Sequence, residues 1–280
     1  FYLKEDNKTR SIDSFASGAI SLILGSKVLL NEAEVIAAYA QGDYKLNDAF
    51  TLTVGGRITE EKKSIEQLDA NRGSWGPGFV PAPPSLANRA TSANMVRFGI
   101  PLSQTETKFT PRVVLTWQQD PSRLFYVSAT NGFKSGGWNG RDNNAALSRA
   151  FGPEEIWSYE LGAKTEWMDG LVRVNATAYY SDITDLQVLS GFPNPVTGAI
   201  AFVTANAADL AVAGLEVEVV AAPTENLDVF GSIAIQQGEY SNANPGPSCV
   251  ANPRAASCVT NDDEPVRLPP VQFNIGGAYR

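Results

Sequence analysis

The chain of 280 residues has no histidine, 22 Lys plus Arg and 30 Asp plus Glu, for a formal charge of −8. The missing imidazole excludes Ser-His-Asp and Cys-His nucleophile arrangements and every His-bearing metal site. A charged fraction of 19%, beside 24 Gly and 17 Pro, excludes an acidic disordered tail, a coiled coil and a basic nucleic-acid binder.

In chain order, Phe1-Tyr2-Leu3-Lys4-Glu5-Asp6 lacks the basic n-region of a signal peptide. It reads as a strand stub over Phe1–Glu5, as though the sequence opened inside something larger. The apolar stretch from Gly18 to Leu30 is broken by Ser21, Ser26 and Lys27, and falls short of the ~20 residues a spanning helix needs. A β-barrel escapes that test, because its strands are short and alternate. Glu32 to Tyr44 has an Ala-rich middle that suits a helix or a strand, and is read as a strand.

From there the period is two. Phe50, Leu52, Val54, Gly56 and Ile58 oppose Thr51, Thr53, Arg57 and Thr59. Val113, Leu115 and Trp117 oppose Arg112 and Thr116, and the aromatic segment from Phe125 follows. Trp157, Tyr159, Leu161, Ala163 and Trp167 oppose Glu160, Lys164 and Glu166. Val172, Val174, Ala176, Ala178 and Tyr180 oppose Arg173, Asn175, Thr177, Tyr179 and Ser181. Leu215, Val217 and Val219 face away from Glu216 and Glu218, and Val271, Phe273, Ile275, Gly277 and Tyr279 away from Gln272, Asn274 and Arg280. The count is nine strands plus the stub.

Joins alternate in length. Short polar turns fall at Leu46–Asp48, Gln119–Ser122, Met168–Gly170 and Pro223–Asn226. Long segments fall at Glu66–Glu106, Gly136–Pro153, Leu189–Ala199 and Ser241–Arg267. No physical rule sorts turn lengths by end in a soluble sandwich, whereas an outer-membrane barrel has short periplasmic turns and long external loops. Tyr44, Phe50, Trp117, Phe125 and Trp167 lie near the short turns, and Trp157, Tyr159 and Tyr180 toward the long loops, as two interfacial belts require. Core aromatics of a β-sandwich are the alternative.

Four segments carry a family resemblance. Phe125 to Asn139 ends in Gly132-Phe133-Lys134-Ser135-Gly136-Gly137-Trp138-Asn139, and Phe151 to Lys164 contains Pro153-Glu154 and Tyr159-Glu160-Leu161-Gly162-Ala163-Lys164. Leu52–Glu61 and Asn206–Glu218 complete the set. In this order they resemble the barrel of TonB-dependent outer-membrane receptors. That resemblance implies an all-β fold: about nine to ten strands of an antiparallel transmembrane wall in a 22-stranded barrel. It also implies that residues 1–280 are a partial barrel domain, with an N-terminal plug, a TonB box and the final strands missing. The implied function is active import of a scarce, bulky nutrient such as a ferric siderophore, energised through TonB. Bilayer lipid and lipopolysaccharide would be the surroundings, and no nucleic acid or cofactor is expected. A passive porin-like barrel and a secreted carbohydrate-binding β-sandwich are the alternative readings.

Ligand contact is expected from loop residues whose chemistry suits bulky anionic chelates: Trp75, Phe79, Phe133, Lys134, Trp138, Arg141, Phe192 and Tyr240. Lumen-side Arg57, Arg112 and Arg173 are expected to pair with Glu160, Glu216 or Glu218, or with a plug. Cys249 and Cys258 share one loop segment and are expected to form a disulfide in an oxidising compartment. Two thiols without a third Cys or a His make poor zinc ligands, so no metal site is expected. Acids spread along strand faces provide no general acid and base in one cleft, so no catalytic residue is assigned.

Overall fold

The computed structural model describes the chain apart from residues 18–19, 70–78, 82–90, 141–144, 194–199 and 245–258, and apart from the side chains of 10–27, 69, 79–81, 190–193 and 200–202. Among the described residues the elements run β1 (Tyr2–Ser17), β2 (Ile20–Lys45), β3 (Phe50–Asp69), β4 (Phe79–Pro81), α1 (Ser92–Arg97), β5 (Ser103–Asp120) and β6 (Arg123–Lys134). There follow β7 (Gly137–Trp138), a single 3-10 turn (Ala145–Leu147), β8 (Ala150–Phe151), β9 (Glu154–Trp167) and β10 (Val172–Pro193). The last three are β11 (Ile200–Thr224), β12 (Leu227–Ser241) and β13 (Val271–Tyr279). Ten long strands form one antiparallel meander in the order β1-β2-β3-β5-β6-β9-β10-β11-β12-β13. β4 adds in parallel to β2, and β7 and β8 pair as a separate ribbon. Among the described residues β1 and β13 do not meet, so the wall is curved but not closed.

Register turns the alternation of each strand into two continuous faces. Val174, Ala176, Ala178 and Tyr180 of β10 stand opposite Thr165, Ala163, Leu161 and Tyr159 of β9. On the other side they stand opposite Val219, Val217, Leu215 and Ala213 of β11. The apolar face is open, with Leu161 63% and Ile275 81% exposed. So large a contiguous apolar surface belongs against lipid. Tyr44 pairs with Leu52, which puts it on this same face.

Both aromatic belts are present. Phe50 stacks on Trp117 at 5.9 Å, Trp117 meets Phe125 at 5.3 Å, and the Arg123 guanidinium lies 4.8 Å from the Trp167 ring centre. At the other end Trp157 stacks on Tyr159 at 6.1 Å and Tyr159 on Tyr180 at 6.5 Å. Along β9 the belts are set by Trp167 and Trp157. That separation amounts to about 24 Å across the membrane at the usual rise and a ~45° tilt, which matches the ~25 Å apolar band of such barrels.

The belt near Trp167 sits on the tight turns. The Trp167–Val172 pair closes the hairpin. Within its loop Met168, Asp169 and Gly170 all have positive φ (55°, 56° and 88°), with the Gly170 N–H donating to the Trp167 carbonyl at 3.2 Å, as a tight turn of the right twist requires. Asn47 Oδ1 accepts the Ala49 and Phe50 N–H groups at 2.9 Å, and Asp120 Oδ1 accepts the Ser122 N–H at 2.8 Å. The Ser122 hydroxyl and N–H, with Arg123 adding its charge, hold the Asp120 carboxyl below its ordinary pKa.

Several boundaries differ from the sequence expectation. The stub is a full strand of 16 residues paired along its whole length with β2. The ambiguous Glu32–Tyr44 segment is the latter part of β2, a strand of 26 residues with neighbours on both sides. Two ladders satisfy its backbone, and that overrides the helical preference of alanine. Of the Leu189–Ala199 segment, Leu189–Pro193 is strand as well, because β10 runs to Pro193, and residues 194–199 lie outside the described residues. A membrane crossing takes only about 9–11 residues. Strands of 22, 25 and 26 residues therefore stand well clear of the lipid on the side away from the tight turns. At the β10–β11 join, part of the length read as a loop is strand.

Candidate functional site

The polar face lines the concave side of the wall. On β3 and β5 it presents Arg57 and Arg112, and on β9 to β11 it presents Glu160, Glu216 and Glu218. Among the described residues these arginines and glutamates do not pair with each other. Arg173 bonds Glu166, its direct cross-strand neighbour, at 3.0 Å. Arg57 donates Nε–H to Thr59 Oγ1 at 2.9 Å and lies over the Phe1 ring at 5.6 Å. The reason is distance along the sheet: β5 and β9 are separated by β6, and cross-strand neighbours capture side chains first. Among the described residues Glu160, Glu216 and Glu218 have no cationic partner. Glu160 accepts the Tyr126 hydroxyl at 3.3 Å, and Glu218 accepts Asn175 Nδ2–H at 3.1 Å.

Two glycines set how aromatic rings lie on this face. A Cβ on Gly162 would come within 2.1 Å of Tyr126, and one on Gly214 within 2.5 Å of Tyr179. Each ring lies flat over the neighbouring strand, which places the Tyr126 hydroxyl between Glu160 and Thr177 and the Tyr179 hydroxyl 2.8 Å from Gln236 Oε1.

At the upper rim Lys134 faces Glu154 across the β6–β9 ladder, with an ion-pair distance of 3.8 Å and a side chain 62% exposed. Phe133 is its half-buried neighbour. Two small apolar clusters stand above the rim. One gathers Ile65, Met95, Ile100 and Ala145, with Leu29, Leu102 and Trp138 packed against them. The Trp138 indole donates to the Pro101 carbonyl at 2.7 Å. The other gathers Ala208, Tyr240 and Val259, and the Tyr240 hydroxyl accepts the Val266 N–H at 3.2 Å. Both aromatic side chains are engaged in holding loops to strands.

The remaining sequence candidates are less defined. Trp75 and Arg141 lie outside the described residues, as do Cys249 and Cys258 with their expected bridge. Phe79 falls on β4 and Phe192 near the end of β10, with their side chains outside the description. Sequence reasoning missed Asn139, Glu154, Gln187 and Asn206. Three of them stand in the quoted family segments, where they served as markers with no role attached. Glu154 accepts the Gln187 N–H at 2.8 Å, and Gln187 Nε2 donates to the Ser135 and Gly152 carbonyls at 3.0 Å each.

A family model for the TonB dependent receptor-like β-barrel matches residues 7–280. The chain belongs to that family. Its members are transport receptors rather than enzymes, and their place is the bacterial outer membrane. Solved structures share the fold at low identity. The ferric yersiniabactin uptake receptor FyuA from Yersinia pestis is 15% identical with a TM-score of 0.69, over 99% of this chain and 35% of that one. The copper transporter OprC is 11% identical with a TM-score of 0.60, over 99% and 41%. The siderophore receptor PiuA from Acinetobacter baumannii is 15% identical with a TM-score of 0.58, over 92% and 32%. The chain thus spans well under half the length of these relatives. The ten-stranded antiparallel wall of this family member matches part of their barrels.

Proposed function

We propose that this wall belongs to an outer-membrane importer that takes up a ferric siderophore and is energised through TonB. The observation that carries the reading is the family match over nearly the whole chain, on a wall with two belts and one tall end. Two of the structural relatives are named for siderophore uptake or binding. Residues 1–280 form a partial barrel domain in this reading, and a plug domain fills the concave side. The unpaired Glu160, Glu216 and Glu218 then take basic partners from the plug, since carboxylates facing a filled lumen need them. Ligand is met above the rim by Lys134 and Phe133, with Trp75, Phe79, Arg141 and Phe192 on the surrounding segments. Trp138 and Tyr240 act there indirectly, through the loops they hold.

The test is uptake of radiolabelled iron presented with a panel of siderophores, in cells with and without the gene and with and without TonB. Gene-dependent and TonB-dependent uptake of one chelate supports the proposal. Gene-dependent passage that ignores TonB supports a passive barrel, and copper uptake alone would replace the substrate.

A further inference from the structure

The tops of β6 and β9 stop early. β5 pairs with β6 only as far as Arg112–Thr130, yet β5 continues upward to Ser103. β10 pairs with β9 only as far as Thr184–Glu155, yet it continues to Pro193. Two short strands between two tall pairs leave a notch about 14 Å wide above the rim, three strand spacings across. Open, it would be a side window with unpaired backbone on both jambs.

The described parts of the β6–β9 connection, residues 135–140 and 145–153, lie in that notch and are tied to both sides. Toward β3 and β5, Lys63 Nζ donates to the Gly136 carbonyl at 3.1 Å and Gln104 Nε2 to the Gly137 carbonyl at 3.4 Å. Ser148, fully buried, donates to Gln67 Oε1 at 3.2 Å. Toward β10 and β11 the ties are Gln187, whose Nε2 donates to the Ser135 and Gly152 carbonyls, and two asparagine amides that each bond a backbone N–H and C=O together. Asn139 Oδ1 accepts the Thr204 N–H at 2.7 Å while its Nδ2 donates to the Thr204 carbonyl at 2.8 Å and to the Arg149 carbonyl at 3.0 Å. Asn206 Oδ1 accepts the Gly152 N–H at 2.7 Å while its Nδ2 donates to the Gly152 carbonyl at 3.1 Å and to the Asp185 carbonyl at 2.7 Å. Each amide makes the paired N–H and C=O bonds that a strand residue would make, and so replaces one ladder rung.

We propose that Asn139 and Asn206 are positioning residues that lock the β6–β9 connection into the notch as a fixed keystone of the wall. The keystone seals the side window and holds the Phe133–Lys134 rim at constant geometry, whatever moves inside the lumen. It is a permanent part of the barrel and takes no part in opening and closing. At neutral pH an amide is required because it offers a donor and an acceptor at this spacing; an ionised carboxylate of the same shape sets oxygen against the carbonyls of Thr204 and Arg149.

Hydrogen exchange by mass spectrometry on the intact receptor in outer-membrane vesicles tests this without any ligand, so its outcome is separate from that of the uptake assay. In Asn139→Asp, exchange over residues 135–140 and 145–153 and at the Thr204 amide is expected to rise at least tenfold. The membrane-spanning parts of β3, β5 and β9 stay as in the wild type. Corrected for intrinsic rates, protection returns when acidification protonates the new carboxyl, because the acid O–H can donate to the Thr204 carbonyl again. Asn206→Asp behaves alike at Gly152. Asn139→Ser, which keeps the volume small and adds no charge, gives the same local rise and serves if the charged variants fail to assemble. Wild-type exchange over 135–153 in a variant that inserts, or a rise spread over the whole wall, overturns the proposal.

Discussion

Gly162 is where the wall has least room, and replacing it tests how the inner face is built. The Cβ of Gly162→Ala would meet Tyr126 Cε1 at 2.1 Å, its Cζ at 2.3 Å and its hydroxyl at 2.6 Å. No backbone adjustment within a ladder paired on both sides relieves such overlap, so the ring must leave. Leaving breaks the bonds of its hydroxyl to Glu160 and Thr177. Overpacking of this kind costs about 1–3 kcal/mol, and loss of two hydrogen bonds, one to a carboxylate, adds about 1–3 kcal/mol. Alanine's better strand propensity recovers well under 1 kcal/mol. The expected net loss is roughly 2–5 kcal/mol. The assay is the urea midpoint of the intact receptor in detergent or lipid, read by heat-modifiable gel migration and by tryptophan fluorescence. Tyr126→Ala is measured alongside, as is the double variant. If the clash is the cause, Gly162→Ala costs almost nothing once the ring is gone, and the coupling equals most of the single effect. An equal cost in both backgrounds, or none in the wild type, would refute the packing argument.

The other predictions bear on lipid, rim and turn. Leu161→Arg, between the belts on the apolar face, should cost about 2–4 kcal/mol in the same unfolding assay, and an arginine tolerated there would mean that this face does not meet lipid. Lys134→Gln should leave stability within about 0.5 kcal/mol, since the ion pair to Glu154 is long and its lysine end is exposed. The same change should weaken binding of whichever chelate the uptake panel selects by about tenfold or more; unchanged affinity would remove Lys134 from the ligand site. At the β5–β6 turn the folded carboxyl of Asp120 titrates below its unfolded value. Its contribution is complete above the ordinary carboxylate pKa and disappears as pH falls through the lowered one. Protection of the Ser122 amide should therefore hold at neutral pH and fall only in strong acid, and in Asp120→Asn the acid step should vanish.

Legibility in the sequence followed the range of each interaction. A period of two reports a side chain's face without knowledge of any partner, so the lipid-facing set from Phe50 to Tyr279 was readable, and so were both belts. Turn chemistry is equally local: Asn47, Asp120 and the Met168–Gly170 corner announced three of the tight hairpins. The family segments named the right residues but not their work. Gly162 is needed because a tyrosine from the next strand lies on it, and Asn139 because β11 passes beside it, facts that no window of sequence contains.

What only the tertiary structure decided was length, register and who meets whom. β1 and β2 extend far beyond their apolar alternation because each supplies the other's backbone partners, and hydrogen bonding is indifferent to side-chain pattern. Arg173 went to Glu166 because register brought that carboxylate opposite, ahead of the acids expected for it. Trp138 and Tyr240 carry the residue types of a ligand site, yet they pack loops, since burial depends on where distant strands end. By itself the sequence determined the two faces, the membrane band and the family. The three-dimensional pairing of strands determined how tall the wall stands, how its interior is charged, and what fills the gap between its short strands.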